Sequence, residues 1–280
     1  MPVERGTLHT NDGVSLAYLD TGGAGVPLVL LHGWGQTSAM FGPLIERMRP
    51  GRRIVTFDMR GHGVSDKPTR GYRIARLAAD LRDVLAARGV TRADLLGWSM
   101  GASVLWSYSE LFGTGSIRKL VLVDQPAAVV AVPWMTEPEQ QEAGSILPVD
   151  GLVALADGIH NDETGAVLRG FVRSMFSGPV DDDLWQFVAE EIARTPRHAA
   201  VPLLFDHGAQ DWRDVLPRID VPALVIGCDG SHVAPDSQRH VAALLPNGHV
   251  HVFTRDVASS HFPFLQNPDA FSKVVAGFLD

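Results

Sequence analysis

A chain of 280 residues, 45% of them hydrophobic, can bury one large core, and its length suits a single domain carrying an insertion. The net charge of -8, without a basic run or any interleaving of aromatic and basic residues, argues against nucleic acid as a partner. Met1-Pro2-Val3-Glu4-Arg5-Gly6 lacks the apolar stretch of a secretory leader, no apolar run approaches the roughly 20 residues that span a bilayer, and Cys228, the only cysteine, permits no internal disulfide, so the expectation is a cytoplasmic protein with no membrane partner.

Taken in chain order, Thr7-Leu8-His9 and Val14-Ser15-Leu16-Ala17-Tyr18 flank the turn residues Asn11-Asp12-Gly13 and predict a hairpin. Leu28-Val29-Leu30-Leu31 reads as a short strand buried on both faces. Directly after it comes His32-Gly33-Trp34-Gly35. Glycines here let the chain turn back so that backbone N–H groups face a developing oxyanion, and the Trp34 amide is one candidate donor. His32, at the strand end, reads as a hydrogen-bonded scaffold residue beside the substrate rather than a base.

Arg53-Ile54-Val55-Thr56-Phe57 is the next strand, followed by Asp58-Met59-Arg60-Gly61-His62-Gly63-Val64-Ser65. Asp58 and Arg60 are expected to tie this loop down by charge-assisted hydrogen bonds. A metal site built on Asp58 and His62 lacks further ligands, so no metal is expected. Leu77, Leu81, Val84 and Leu85 recur at helical spacing and stop at Gly89.

The stretch Gly97-Trp98-Ser99-Met100-Gly101 is the most informative. It reads G-x-S-x-G between the apolar run Ala93-Asp94-Leu95-Leu96 and a helical pattern over residues 102–108. A serine on such a tight strand-to-helix turn is held out above a helix amino terminus, and the crowded backbone needs small neighbours. Ser99 is the candidate nucleophile and the Met100 amide the second oxyanion donor. Trp98 beside it is expected to touch substrate.

Leu120-Val121-Leu122-Val123 is a strand closed by Asp124. The alternation of strand and helix then stops until about Leu216. Helical patterns around residues 152–155, 171–176 and 184–188 predict a helical cap over 125–216, inserted into a core of 1–124 and 217–280. Trp134, Phe171, Met175, Phe176, Trp185 and Phe187 exceed what so small an insertion needs for its own packing, and Trp134 and Trp185 are expected to line an apolar pocket over Ser99.

Strands return at Ala223-Leu224-Val225-Ile226 and His249-Val250-His251-Val252-Phe253, with a last helix marked by Phe271, Val274, Val275 and Phe278. Between them lies Ser259-Ser260-His261-Phe262-Pro263. Among eleven histidines His261 is best placed as general base, on a loop at a strand's carboxyl end and after the nucleophile in chain order. The fold class is α/β: a mostly parallel, doubly wound sheet with an inserted helical cap.

Over essentially its whole length the chain resembles the α/β-hydrolase fold superfamily, in the branch of esterases, lactonases and cofactor-free haloperoxidases. The resemblance rests on His32-Gly33-Trp34-Gly35, on Asp58-x-Arg60-Gly61-His62-Gly63-x-Ser65, on Gly97-x-Ser99-x-Gly101 and on Ser260-His261-Phe262-Pro263. It implies Ser99 as nucleophile, His261 as base, and Trp34 and Met100 as main-chain oxyanion donors. One departure stands out. Relatives usually carry their acid after the strand here written Ala223-Leu224-Val225-Ile226-Gly227; counting back from Pro235 that place holds Ser231, and counting forward from Gly227 it holds Gly230. Asp229 fits neither register. Some relatives place the acid where Asp124 stands, and Asp124 is preferred to Asp229.

The expected activity is cleavage of a small hydrophobic ester or lactone through an acyl-enzyme, with no cofactor. The resemblance also implies two other classes. One is oxygen chemistry, as in cofactor-free dioxygenases or in perhydrolase and haloperoxidase relatives. The other is a non-catalytic ligand receptor.

Overall fold

A computed structural model of the chain describes residues 3–280. Eight strands form one sheet: β1 (Glu4–His9), β2 (Ser15–Asp20), β3 (Leu28–Leu31), β4 (Ile54–Phe57), β5 (Ala93–Trp98), β6 (Ile117–Val123), β9 (Ala223–Cys228) and β10 (Gly248–Phe253); two short cap strands, β7 (Val130–Ala131) and β8 (Leu147–Pro148), pair with each other. The spatial order is β1-β2-β4-β3-β5-β6-β9-β10. The β1–β2 hairpin is antiparallel and joins β4 antiparallel, while every pairing from β4 to β10 is parallel. All residues of β3, β4, β5 and β9 are buried, which explains why they read as continuous apolar runs.

Helix α1 (Gly42–Met48) crosses from β3 to β4, whereas α2 (Ile74–Ala87) and α3 (Met100–Phe112) cross in the opposite spatial direction. Right-handed crossovers therefore put α1 on one face and α2 with α3 on the other. The packing agrees: α2 lies against α3, and α1 lies against the carboxyl-terminal α11 (Pro268–Leu279). The arrangement gathers the loops after β3, β4, β5, β6 and β9 on one edge of the sheet.

Between β6 and β9 the chain runs through β7, α4 (Glu137–Ala143), β8, α5 (Val149–Asn161), α6 (Ala166–Ser174), α7 (Asp182–Ile192) and α8 (Arg197–Gly208). The apolar runs anticipate α5, α6 and α7. They do not anticipate α8, because Pro202 sits inside it and interrupts the helical pattern. Three bonds dock this region on the core. Thr37 Oγ1 donates to Glu191 Oε2, the Trp34 indole N–H donates to the Ala200 carbonyl at 2.9 Å, and the Ile74 amide donates to Asp206 Oδ2 at 2.7 Å. Beyond the cap, α9 (Pro235–Leu244) packs on β9 and β10, and α10 (Pro263–Gln266) follows the His261 loop. No helix among the described residues is long and apolar enough to cross a membrane.

Candidate active site

Ser99 caps β5 and opens α3 with φ 54° and ψ -128°, outside the regions that side-chain-bearing residues favour. The turn is tight because α3 starts almost on the sheet. A Cβ at Gly101 would lie 2.3 Å from the Leu31 carbonyl oxygen, and one at Gly97 would lie 2.5 Å from the Gly101 carbonyl. Only glycine fits either position, which is the physical content of the G-x-S-x-G pattern. Ser99 Oγ makes no hydrogen bond among the described residues and opens onto a narrow cavity of about 40 Å³ that His261 also lines.

The loop after β3 wraps this cavity. His32 is fully buried: its Nδ1 bonds the Gly33 carbonyl at 2.8 Å and its Nε2 accepts from the Met59 amide at 3.0 Å. His62 braces the same loop, with Nδ1 on the Arg60 carbonyl at 3.0 Å and Nε2 accepting from the Gly35 amide at 3.2 Å. The two rings meet edge to face at 4.9 Å. Burial pushes His62 down to about 3 and His32 downward as well, so both are neutral struts. The expected place of His32 beside the substrate is corrected, because both ring nitrogens are spent on backbone and it does not line the cavity. Arg60 holds Asp80 at 2.6 and 2.7 Å and Asp12 at 2.9 and 3.0 Å, while Asp58 accepts from Ser38 and from the Val64 amide. Those loops are structural. No cluster of three or more metal-ligating side chains forms among the described residues.

The amides of Trp34 and Met100 have no protein acceptor among the described residues. Met100 is the first residue of α3, so its N–H has no intrahelical partner by construction. Both stand beside Ser99 in sequence or across Gly33, where a Cβ would come within 3.1 Å of Ser99 Cβ.

His261 Nδ1 lies 2.7 Å from Asp124 Oδ2. Both side chains are buried, at 3% and 0% exposure. Asp124 ends β6, next to Ser99 at the end of β5, and it too has positive φ, 52°. Ser231 donates its hydroxyl to the same Asp124 oxygen. Asp229 turns outward: its carboxylate is 58% exposed and its ion-pair partner is Arg255 at 4.0 Å. Burial lifts the Asp124 carboxyl to about 7 against the pull of the Ser231 hydroxyl, and burial lowers His261 to about 3. The neutral imidazole is the form that can take a proton from a serine hydroxyl.

The His261 loop is held from several sides. The Ser259 and Ser260 amides donate to Gln266 Oε1 at 3.0 and 2.8 Å, Ser177 Oγ donates to the Ser259 carbonyl at 2.8 Å, and Trp98 Nε1 donates to the His261 carbonyl at 2.8 Å. Trp98 lines the cavity, and its indole N–H is committed to the His261 carbonyl. His232 packs edge-on against His261 with centroids 4.6 Å apart, and burial pushes it down to about 3.

The cap contributes Val129, Ile146, Leu147, Phe171, Met175, Leu204 and His207 to the lining. Two expected residues are corrected. Trp134 is 82% exposed and faces away from the cavity. Trp185 is half-buried against Phe176 and Arg173, outside the lining. His207, which the sequence places merely somewhere in the cap, reaches the cavity because α8 turns Ala200, Leu204 and His207 toward the Trp34 loop at i, i+4 and i+7 spacing.

Comparison with known proteins gives consistent results. The profile described as the alpha/beta hydrolase family matches residues 28–274. A putative non-heme chloroperoxidase from Synechocystis sp. is 29% identical over 240 residues, 82% of each chain. The solved structure of an esterase from Rhodococcus sp. superposes with a TM-score of 0.82 at 29% identity, covering 100% of this chain and 98% of the other. A bromoperoxidase from Bacillus anthracis superposes with a TM-score of 0.88 at 23% identity over 99% of both chains, a likeness of fold.

Proposed function

The chain belongs to the alpha/beta hydrolase family, and from that premise we propose that it cleaves a compact, uncharged carboxylic ester or lactone through Ser99, His261 and Asp124. The observation that carries this reading is the 2.7 Å contact of His261 with buried Asp124, facing a cavity that Ser99 shares. The carbonyl settles against the Trp34 and Met100 amides. Ser99 Oγ attacks the carbonyl carbon as its proton passes to His261 Nε2, and Asp124 accepts the Nδ1 hydrogen, holding the tautomer and steadying the imidazolium. Collapse expels the alkoxide, which takes the proton from His261. A water molecule, deprotonated by the same ring, then releases the acid. The narrowness of the cavity and the absence of charged lining residues favour a small neutral acyl part.

The test is Ser99→Ala assayed on short alkyl and aryl esters and on lactones. Loss of hydrolysis by several orders of magnitude, together with loss of covalent labelling by a fluorophosphonate probe, is expected. Retained turnover would sink the acyl-enzyme. A second reading draws on the printed name of the Synechocystis relative. Hydrogen peroxide in place of water would capture the acyl group as a peracid and regenerate Ser99. Peroxide-dependent peracid formation from a simple ester separates the two outcomes.

A further inference from the structure

The cavity holds more hydrogen-bonding capacity than this reaction uses. Gln36, four residues past His32, is 2% exposed, and its Oε1 is buried with no hydrogen-bond partner. His207 on α8 is 6% exposed, and its Nδ1 is likewise buried and unpartnered. Both line the cavity beside Ser99 and His261. Native interiors pair such groups almost without exception, because an unpaired one forfeits its hydration for nothing. Gln36 and His207 stand on different elements, the core loop and the cap, and His232, which also lines the cavity, carries a third such atom in its Nδ1; unpartnered groups gathered in one uncharged cavity point to a ligand group that completes them.

The chemistry of that group follows from theirs. No Asp, Glu, Lys or Arg lines the cavity. Burial holds the His207 imidazole down to about 4, so it is uncharged near neutrality, as the Gln36 amide always is. Neutral partners cannot compensate a buried carboxylate or ammonium. Gln36 Oε1 only accepts, so the complementary group must carry a hydrogen. A hydroxyl both donates and accepts, and it therefore suits the glutamine oxygen and either tautomer of the histidine.

We propose that Gln36 and His207 form a specificity subsite that selects an uncharged ester or lactone bearing a hydroxyl group apart from its scissile carbonyl. The name of the scissile group rests on the ester-hydrolase reading; the subsite itself does not. The experiment uses Ser99→Ala, which forms no acyl-enzyme, and measures its binding of methyl butyrate and methyl 3-hydroxybutyrate by ligand titration in NMR. The hydroxylated ester should bind about tenfold tighter. Adding Gln36→Leu or His207→Leu should bring that ratio toward one. Gln36 lies in a loop and His207 in a cap helix, so if one variant fails to fold the other still decides. Equal binding of the two esters, or a preference untouched by both substitutions, overturns the subsite. If the preference holds while the wild-type protein hydrolyses neither ester, the ester-hydrolase reading falls and the subsite stands.

Discussion

Ser99 and Asp124 occupy matching positions at the ends of neighbouring strands. Each follows one member of the paired residues Trp98 and Val123, and the Ser99 amide donates to the Val123 carbonyl at 2.8 Å. They are also the two non-glycine residues with positive φ among those described, at 54° and 52°. Such backbones cost on the order of 1–3 kcal/mol each and persist only where the surroundings impose them. At these turns Asp124 meets His261 Nδ1 at 2.7 Å, and Ser99 opens onto the cavity that His261 also lines.

That placement makes a prediction about the acid. Asparagine tolerates positive φ as aspartate does, so Asp124→Asn should keep the fold. Its amide, however, presents an N–H where His261 needs an acceptor, and the wrong tautomer follows. Turnover should fall by on the order of 10⁴. Asp229→Asn, altering an exposed carboxylate, should stay within about twofold of the parent. Turnover of both variants on one ester checks this, and a severe Asp229→Asn defect beside a near-normal Asp124→Asn would reverse the assignment.

The glycines around Ser99 should separate stability from chemistry. Gly101→Ala drives a methyl into the Leu31 carbonyl, with backbone on both sides and no flexible side chain to give way. A loss of about 3 kcal/mol or more in urea unfolding is expected. Gly33→Ala places its methyl 3.1 Å from Ser99 Cβ and 3.5 Å from Oγ, so the Ser99 hydroxyl is crowded while the fold has room to adjust. Activity should drop at least about tenfold, by the sensitivity of attack geometry to small misplacements, with an unfolding midpoint close to the parent's. Unchanged activity in Gly33→Ala would mean that the Ser99 side chain swings freely in the cavity.

What the sequence made legible divides along a physical line. Backbone constraints leave marks in residue type: Gly97, Gly101 and Gly33 are small because something sits where their Cβ would be, and the strands that end at Ser99 and Asp124 read as apolar runs because they lie inside the sheet with most of their residues buried. Side-chain destinations in the cap leave no such mark. Trp134, Phe171 and Trp185 look alike as large apolar residues on or near helices, yet Phe171 faces the cavity, Trp185 packs on Phe176 and Trp134 is exposed. His207 was hidden because Pro202 breaks the pattern that would have set its helix face.

The cap residues yield a prediction from that contrast. Phe171→Ala or Leu204→Ala removes bulk from the lining, so each variant should accept longer acyl chains than the parent, with roughly 0.8 kcal/mol available for each further methylene buried. Trp134→Ala and Trp185→Ala should leave the chain-length profile as it was. Profiles of kcat/KM over a series of linear esters decide between these outcomes, and a shift in Trp134→Ala alone would mean the substrate path runs over the outer cap.

The last prediction concerns acid. Burial holds His207 at about 4 and His62, His232 and His261 at about 3, all below the ordinary 6.5. Between those values and about 6.5 the unfolded chain binds these protons and the folded chain does not, so stability rises with pH across that window and is lost as pH falls through it. Asp124, whose raised carboxyl binds a proton in the folded state up to about 7, and Asp80, also raised by burial, work the other way, but with His32 and His251 lowered too the histidines outnumber them. The protein should therefore unfold at markedly lower urea at about pH 4.5 than at about pH 7. His207→Leu removes one of these histidines. Its loss of stability over the same interval should be smaller than the parent's by on the order of 2 kcal/mol, because only the part of the interval below 6.5 counts, at about 1.36 kcal/mol per pH unit. Parallel pH dependences in parent and variant would mean that His207 takes up its proton in the folded state as easily as in water, and a charged His207 would also remove the neutral partner that the proposed hydroxyl subsite requires.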